Sequence, residues 1–448
     1  MSQGQPLSRP VNQAILSQHL EEAAFYWVRR QAGVWSPAFD KSEIGRIDGL
    51  LDAHLEGLRI AGVAAVEPAI RNLNRWKTAD EAFVSTYVLT HFPDKDNLRI
   101  LETYVHDMPQ LINGAAAAMF WVGPGNSNQM LQRWWKSGYA PLMRAAIPAL
   151  IANSNEKEKI ARVAVAHEDP NVRSRALRAI GEWGLEDCLS LVKSSLEDRS
   201  AECRFEAATT HYVLGHKQHA MIAGNAMQEM NQQTVADNPQ SKQVAQTTRR
   251  RALLYWATMS LDQDFQKWLN PALEDPDKCR DAIWALAFRG ESSALKHFEG
   301  FLREDKEATL AAYALCHVTG LDLDKAGLFK VDGPDEEDAD ETETPTISTE
   351  TDPATNASPA AYDASEDDGL LEPNIEKVLD WLDNLKQKSQ FTPGQRYLGG
   401  LPIDQTASTY FVEGTQPQRW QSALHLSRFS KETGPMTEVA RAVLCASG

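Results

Sequence analysis

Residues 167–184 read HEDPNVRSRALRAIGEWG, and this stretch decides the fold. Asp169 stands where a side-chain oxygen can accept from the orphan amides of a helix start. Pro170 suits the first helical position, where a missing N–H costs nothing. Val172, Ala176, Ala179, Ile180 and Trp183 recur on one face at helical spacing, and Gly184 is placed to close the helix in a left-handed turn. The pattern returns 106 residues later as DPDKCRDAIWALAFRG, where Asp275-Pro276 answers Asp169-Pro170 and Gly290 answers Gly184. Shorter echoes lie between and beyond. Cys203-Arg204-x-x-Ala207 and Gly215 repeat Val172-Arg173-x-x-Ala176 and Gly184 at an offset of 31 residues, and Ala311–Leu315 repeats Ala282–Leu286 after 29. A less regular unit surrounds Arg251–Trp256. Helix pairs recurring at about 30–45 residues predict an α-solenoid, in which each pair buries its apolar face only by stacking on its neighbours.

Outward from the repeats, the chain divides by composition. Residues 1–10 are polar and predict a disordered start. Residues 11–155 predict an N-terminal helical region. Its stripe Ile44, Ile47, Leu51, Leu55, Leu58 is closed by Gly62, and further helices are expected at 67–76, 80–92, 96–106 and 111–122. The segment VGPGNSN (122–128) is glycine-rich but lacks the Gly-Lys-Ser/Thr ending of a phosphate loop, so it predicts a turn between helices. Residues 156–330 hold the repeats. Residues 331–372 are acidic and rich in Thr, Ser and Pro, the composition of a disordered linker that cannot offset its own ordering entropy. Residues 373–448 predict a C-terminal helical cap, with helices near 373–385, 418–429 and 436–445.

The net charge of −17 over 448 residues suggests an acidic protein. Sixteen Asp and Glu and no Lys or Arg fall between Val331 and Glu376, so the remainder is close to neutral. Neither a broad basic face for nucleic acid nor a polyacidic folded surface is expected. No apolar run approaches the roughly 18 residues of a membrane span, and the opening MSQGQPLSRP lacks the apolar core of a secretory signal. Five scattered cysteines (Cys188, Cys203, Cys279, Cys316, Cys445) indicate no disulfide framework and a cytoplasmic setting.

The Asp-Pro-x-Val-Arg-x-x-Ala-Leu-x-Ala-Ile-Gly run resembles the HEAT-like repeats of the phycobilin-lyase type. Together with LDAHLEGLRIAG (51–62), GQRYLGGLP (394–402) and EGTQPQRWQSALHL (413–426), the chain resembles a bacterial HEAT-like family of unassigned function, often encoded among type VI secretion genes near spike and toxin modules. Thr415, Pro417 and Ser422 depart from that family's Gly-x-Gln-Arg-rich helix start. The resemblance implies an all-α solenoid of HEAT-like helix pairs and a place beside secreted toxins.

Candidate chemistry is sparse. His211, His216 and His219 form the only histidine-rich stretch, but Gly215 interrupts the helix and no carboxylate or thiolate stands at ligand spacing, so no metal is expected. His167-Glu168 resembles the His-Glu pairs of HEAT-like di-iron hydroxylases, which need several such pairs; no second one occurs. No nucleophile elbow is present, so no catalytic residue and no cofactor is assigned. Arg249-Arg250-Arg251 is the one tight basic cluster, too small for the many phosphate contacts of useful nucleic-acid affinity, and an acidic partner contact suits it better. It could equally meet the chain's own acidic linker. Adjacent Trp134 and Trp135 point about 100° apart on a helix, so one is free to line a partner groove. These five residues are the partner-binding candidates. The resulting expectation is a non-enzymatic scaffold that offers a concave face to a protein, as adaptor or chaperone for a toxin or spike component. The alternatives are an immunity protein for a cognate toxin, or a HEAT-like enzyme acting on nucleic acid or through a metal.

Overall fold

The computed structural model describes residues 11–34, 36–230, 239–304, 306–330, 370–388, 390–429 and 436–437. The fold is all-α. Its first part comprises α1 (Gln13–Gly33), α2 (Lys41–Ala61), α3 (Val66–Trp76), α4 (Ala79–His91), α5 (Lys95–Asp107), α6 (Ile112–Val122) and α7 (Pro124–Trp135). The expected helices fall within a residue or two of these. The turn expected over 122–128 shrinks to Gly123, whose left-handed φ of 80° reverses the chain before Pro124 opens α7. Helix α4 is the centre of this part. It is buried from Ala79 to Thr90 and packs on α1, α3 and α6, where the alanines of residues 115–118 allow close approach.

Then come helices in alternating rows: α8 (Ala140–Asn153), α9 (Lys157–Val165), α10 (Pro170–Glu182), α11 (Leu189–Ser194), α12 (Ala201–Val213), α13 (Ala220–Met230), α14 (Pro239–Met259), α15 (Asp262–Glu274), α16 (Cys279–Arg289), α17 (Ala294–Leu302) and α18 (Ala308–Thr319). The even-numbered helices form an inner row. Helix α10 packs on α8 and α12, and α16 on α14 and α18, while each odd-numbered helix lies against an even-numbered neighbour. Helix α8 serves both parts. Its Met143, Ile147 and Ile151 belong to the core of the rows, and its Leu142, Ala146 and Leu150 to the core of the first part.

Helix α10 begins as the sequence predicts. Asp169 Oδ1 accepts from the amide of Asn171 at 2.8 Å, and Pro170 occupies the first position. It ends with Gly184 at φ 61°, the amide of Leu185 reaching the carbonyl of Ile180 at 2.9 Å. The Asp275 unit differs. Its Oδ1 accepts from the amide of Asp277 at 3.0 Å and its carbonyl from that of Cys279 at 2.9 Å, as Asp169 does for Asn171 and Arg173, but a turn over 276–278 comes first and α16 starts only at Cys279.

A repeated arginine, unassigned from sequence, joins successive units. Arg173 donates to the carbonyls of His167 and Glu168 and pairs with Asp198. Thirty-one residues on, Arg204 donates to the carbonyls of Asp198 and Arg199 and pairs with Glu229. Arg280 pairs with Glu307 in the same sense.

The C-terminal part returns across the rows. It holds α19 (Ile375–Gln387), a two-stranded antiparallel hairpin of β1 (Tyr397–Leu398) and β2 (Leu401–Pro402), α20 (Ile403–Glu413) and α21 (Gln416–Phe429). The hairpin and α20 were not expected from sequence. Helix α19 lies against α17, but α21 packs on α12 and α14, and Trp420, Ala423 and Leu424 join the core of the rows. At its start, Gln416 N donates to Phe39 O, so this part also touches the loop between α1 and α2.

Candidate functional site

The inner row carries an ionic layer. Glu182 of α10 accepts from Arg175 Nη2 at 2.9 Å and from Arg178 Nε at 2.6 Å. One helix further, Glu206 of α12 receives two bonds from Arg251 of α14, the Nη1 bond at 2.8 Å. Burial pushes the Glu182 carboxyl up, but Arg175, Arg178 and Arg251 together hold it below its ordinary range. Burial wins at Glu206 and raises it, lowers Arg175 to about 10, and raises Tyr255 to about 12. Between these groups is a cavity of about 10 Å³, room for one water, with Met436 as part of its wall. The desolvation cost of such buried pairs offsets most of their mutual attraction, whereas removing one partner strands the other charge in the interior.

This geometry relocates the basic cluster. Arg251 is spent on Glu206. Arg250 is buried with its guanidinium 4.9 Å from the Trp284 ring, and Arg249 pairs with Asp281. Arg250 and Arg251 are therefore interior, not an exposed partner contact, and only Arg249 keeps partial exposure. Their charge is answered within the fold. The acidic residues 331–369 lie outside the described residues, as do residues 1–10, most of the expected 436–445 helix and Cys445.

Trp134 is likewise no anchor for a partner: 1 % of it is exposed, and it packs in the first core. Trp135, about 100° round the helix, is half-buried against both cores at the junction of the two parts. The three histidines do come together. The His211 ring lies 4.5 Å from that of His216 and 4.6 Å from that of His219, centroid to centroid. Burial first, then the neighbouring imidazoles, lowers the His211 pKa despite a backbone hydrogen bond. Among the described residues, no group of three His, Cys, Asp or Glu side chains is arranged to hold a metal ion. His167 serves its own turn, its Nδ1 accepting from Asp169 N at 3.0 Å.

What sequence reasoning missed is the occupant of the inner face. The carbonyls at inner helix ends have no intrahelical partners, and the C-terminal part supplies donors to them in succession. Thr437 Oγ1 donates to Glu182 O of α10 at 2.6 Å, and Arg396 Nη1 to Thr258 O of α14 at 2.8 Å. Gln421 Nε2 donates to Phe288 O of α16 at 2.9 Å, and the amides of Gly399 and Gly400 to His317 and Val318 of α18 at 2.9 Å each. His317 Nε2 donates to Gln421 Oε1 at 2.5 Å, so that one glutamine ties α16 to α18. Apart from Thr437, the residues that do this belong to the motifs GQRYLGGLP and QRWQSALHL. Their density of glycine and glutamine was the available signal.

Exposed large apolar residues are scattered over both parts, Leu401 and Val412 of the C-terminal part among them. Ile60 and Val63, each 75 % exposed, flank the Gly62 turn between α2 and α3. No helix among the described residues is long and apolar enough to cross a membrane. Comparison with protein-family models and with curated proteins finds no match.

Proposed function

We propose that this chain is a non-enzymatic protein-binding scaffold of the bacterial cytoplasm, acting as an adaptor or chaperone in type VI secretion for a toxin or spike component. The observation that carries the binding half of this reading is the polypeptide already seated on the inner row. A row of helix ends that takes backbone amides, a glutamine and a tryptophan-bearing helix from its own chain has the chemistry to grip polypeptide. The secretion half rests on the resemblance of residues 51–62, 394–402 and 413–426.

Because the inner row is filled, a partner meets the outside first. The segment 51–62 leads into the exposed Ile60–Val63 corner, an apolar surface suited to a protein contact. The test is mild crosslinking of the tagged chain in its native cell, followed by mass spectrometry. A toxin recovered together with spike components, and lost in an I60D/V63D double variant, supports the adaptor. A toxin alone, with the chain needed only for survival, turns the reading to an immunity protein. A bound metal or nucleic acid with no protein partner overturns the scaffold.

A further inference from the structure

A cleft of about 210 Å³ opens where α6, α8 and α10 all begin. Ile112 and Asn113 are the first residues of α6, Pro141 lies in the first turn of α8, and Asp169 and Asn171 start α10. Helices α8 and α10 thus bring their partially positive ends to one space, while α6 enters it from the one-turn helix over Pro109–Leu111. Neither α6 nor α8 has a side-chain cap at its start.

Arg144, one turn into α8, lines the same cleft and is half-buried. Its Nε is buried without a hydrogen-bond partner, and no described residue pairs with its guanidinium. The cleft's one carboxylate, Asp169, is committed through Oδ1 to the α10 cap. A buried donor left unpaired costs free energy, and the guanidinium fork matches a carboxylate in two parallel bonds. Around it the wall is largely apolar, formed by Ile112, Pro141 and the alanines of α8. We propose that this cleft binds a carboxylate on a short aliphatic stem, with Arg144 as its anchor and the apolar wall holding the stem. The Asn113 and Asn171 amides stand at the same wall to assist. Asp169 beside them discriminates against a polyanion.

The experiment is isothermal titration of the full-length chain with butyrate, and separately with inorganic phosphate, at low ionic strength. The wild type is expected to take up one butyrate per chain saturably. The R144Q variant is expected to bind at least about tenfold more weakly, with R144K in between. Circular dichroism melts keep the result interpretable. Removing an unpaired half-buried charge leaves the melting temperature of R144Q no lower than that of the wild type, and butyrate raises it only in the wild type. Equal affinity in R144Q overturns the proposal. So does the lack of saturable butyrate binding, and so does uptake of phosphate in place of butyrate.

Discussion

Asp80 and Glu81, adjacent in the first turn of α4, are each only 4 % exposed, and each has a carboxylate oxygen without a hydrogen-bond partner. Burial raises both pKa values, and the neighbouring Asp80 and Glu21 help to push Glu81 up to about 8. A carboxyl whose folded pKa exceeds its unfolded value stabilises the fold below the unfolded value, near 4.5, and loses that contribution as pH rises towards 8. The E81Q variant, which stays neutral, is expected to gain on the order of 5 kcal/mol over the wild type at pH 9, and far less at pH 5. Urea unfolding at the two pH values measures it; a difference independent of pH would show that Glu81 is solvated as a carboxylate. His317 acts on the acid side. Burial lowers it to about 4 against the partial opposition of its bond to Gln421, so its contribution is full above about pH 6.5 and fades as pH falls towards 4. Replacing His317 with Gln, which can still donate to Gln421, is expected to flatten the loss of stability between pH 6 and 4. Melts across that range check this, and an unchanged acid slope would assign it to other groups.

At the scale of elements, the glycines that end the inner helices are not equivalent. Gly215 (φ 94°) has nothing within 4 Å of where a Cβ would stand, whereas at Gly290 (φ 69°) the Cβ would lie 2.3 Å from the Tyr397 carbonyl oxygen. Gly215→Ala is expected to cost the left-handed strain alone, about 1 kcal/mol. Gly290→Ala adds a backbone clash and should cost about 3 kcal/mol or more. It should also speed amide exchange at Tyr397, whose amide donates to Gly290 O at 2.8 Å. Equal costs for the two substitutions would mean that the hairpin docks loosely. Both glycines were legible as helix stops, because a cap is written in a few neighbouring residues. That Gly290 also receives the hairpin was not legible, since its partner stands more than a hundred residues away and no local periodicity records it. Asp169-Pro170 and Asp275-Pro276 were legible for the same local reason, each Asp side chain accepting from the amide two residues on, while the extra turn before α16 was not. The arginine triplet shows the limit for a site. Charge clustering in sequence says nothing of whether Glu206, Asp281 and Trp284 will be folded against it.

At the scale of the molecule, the acidic stretch joins two points that already touch. Lys330 N donates to Glu372 O at 2.8 Å and Asn374 N to Leu328 O at 2.9 Å, and Phe329 and Pro373 form an antiparallel bridge. The described residues on either side of the stretch, 328–330 and 372–374, thus stand against one another. The stretch does not act as a spacer between bodies set apart. With its ends held together, the length of the stretch enters stability as a loop-closure entropy. Loop-closure entropy grows only with the logarithm of length, so replacing residues 333–369 by a four-residue glycine-serine turn, roughly a tenfold shortening, should stabilise the chain by about 2 kcal/mol. The shortened chain would also sit closer to neutral charge and should be less soluble near its isoelectric point. Urea unfolding and a solubility series measure the two effects on the same variant. A gain in stability with retained partner capture would place the loop's role in solubility. A loss in stability would require contacts from the acidic residues to the fold, and those would have to be found on surfaces other than Arg250 and Arg251, whose charges are already held inside the inner row.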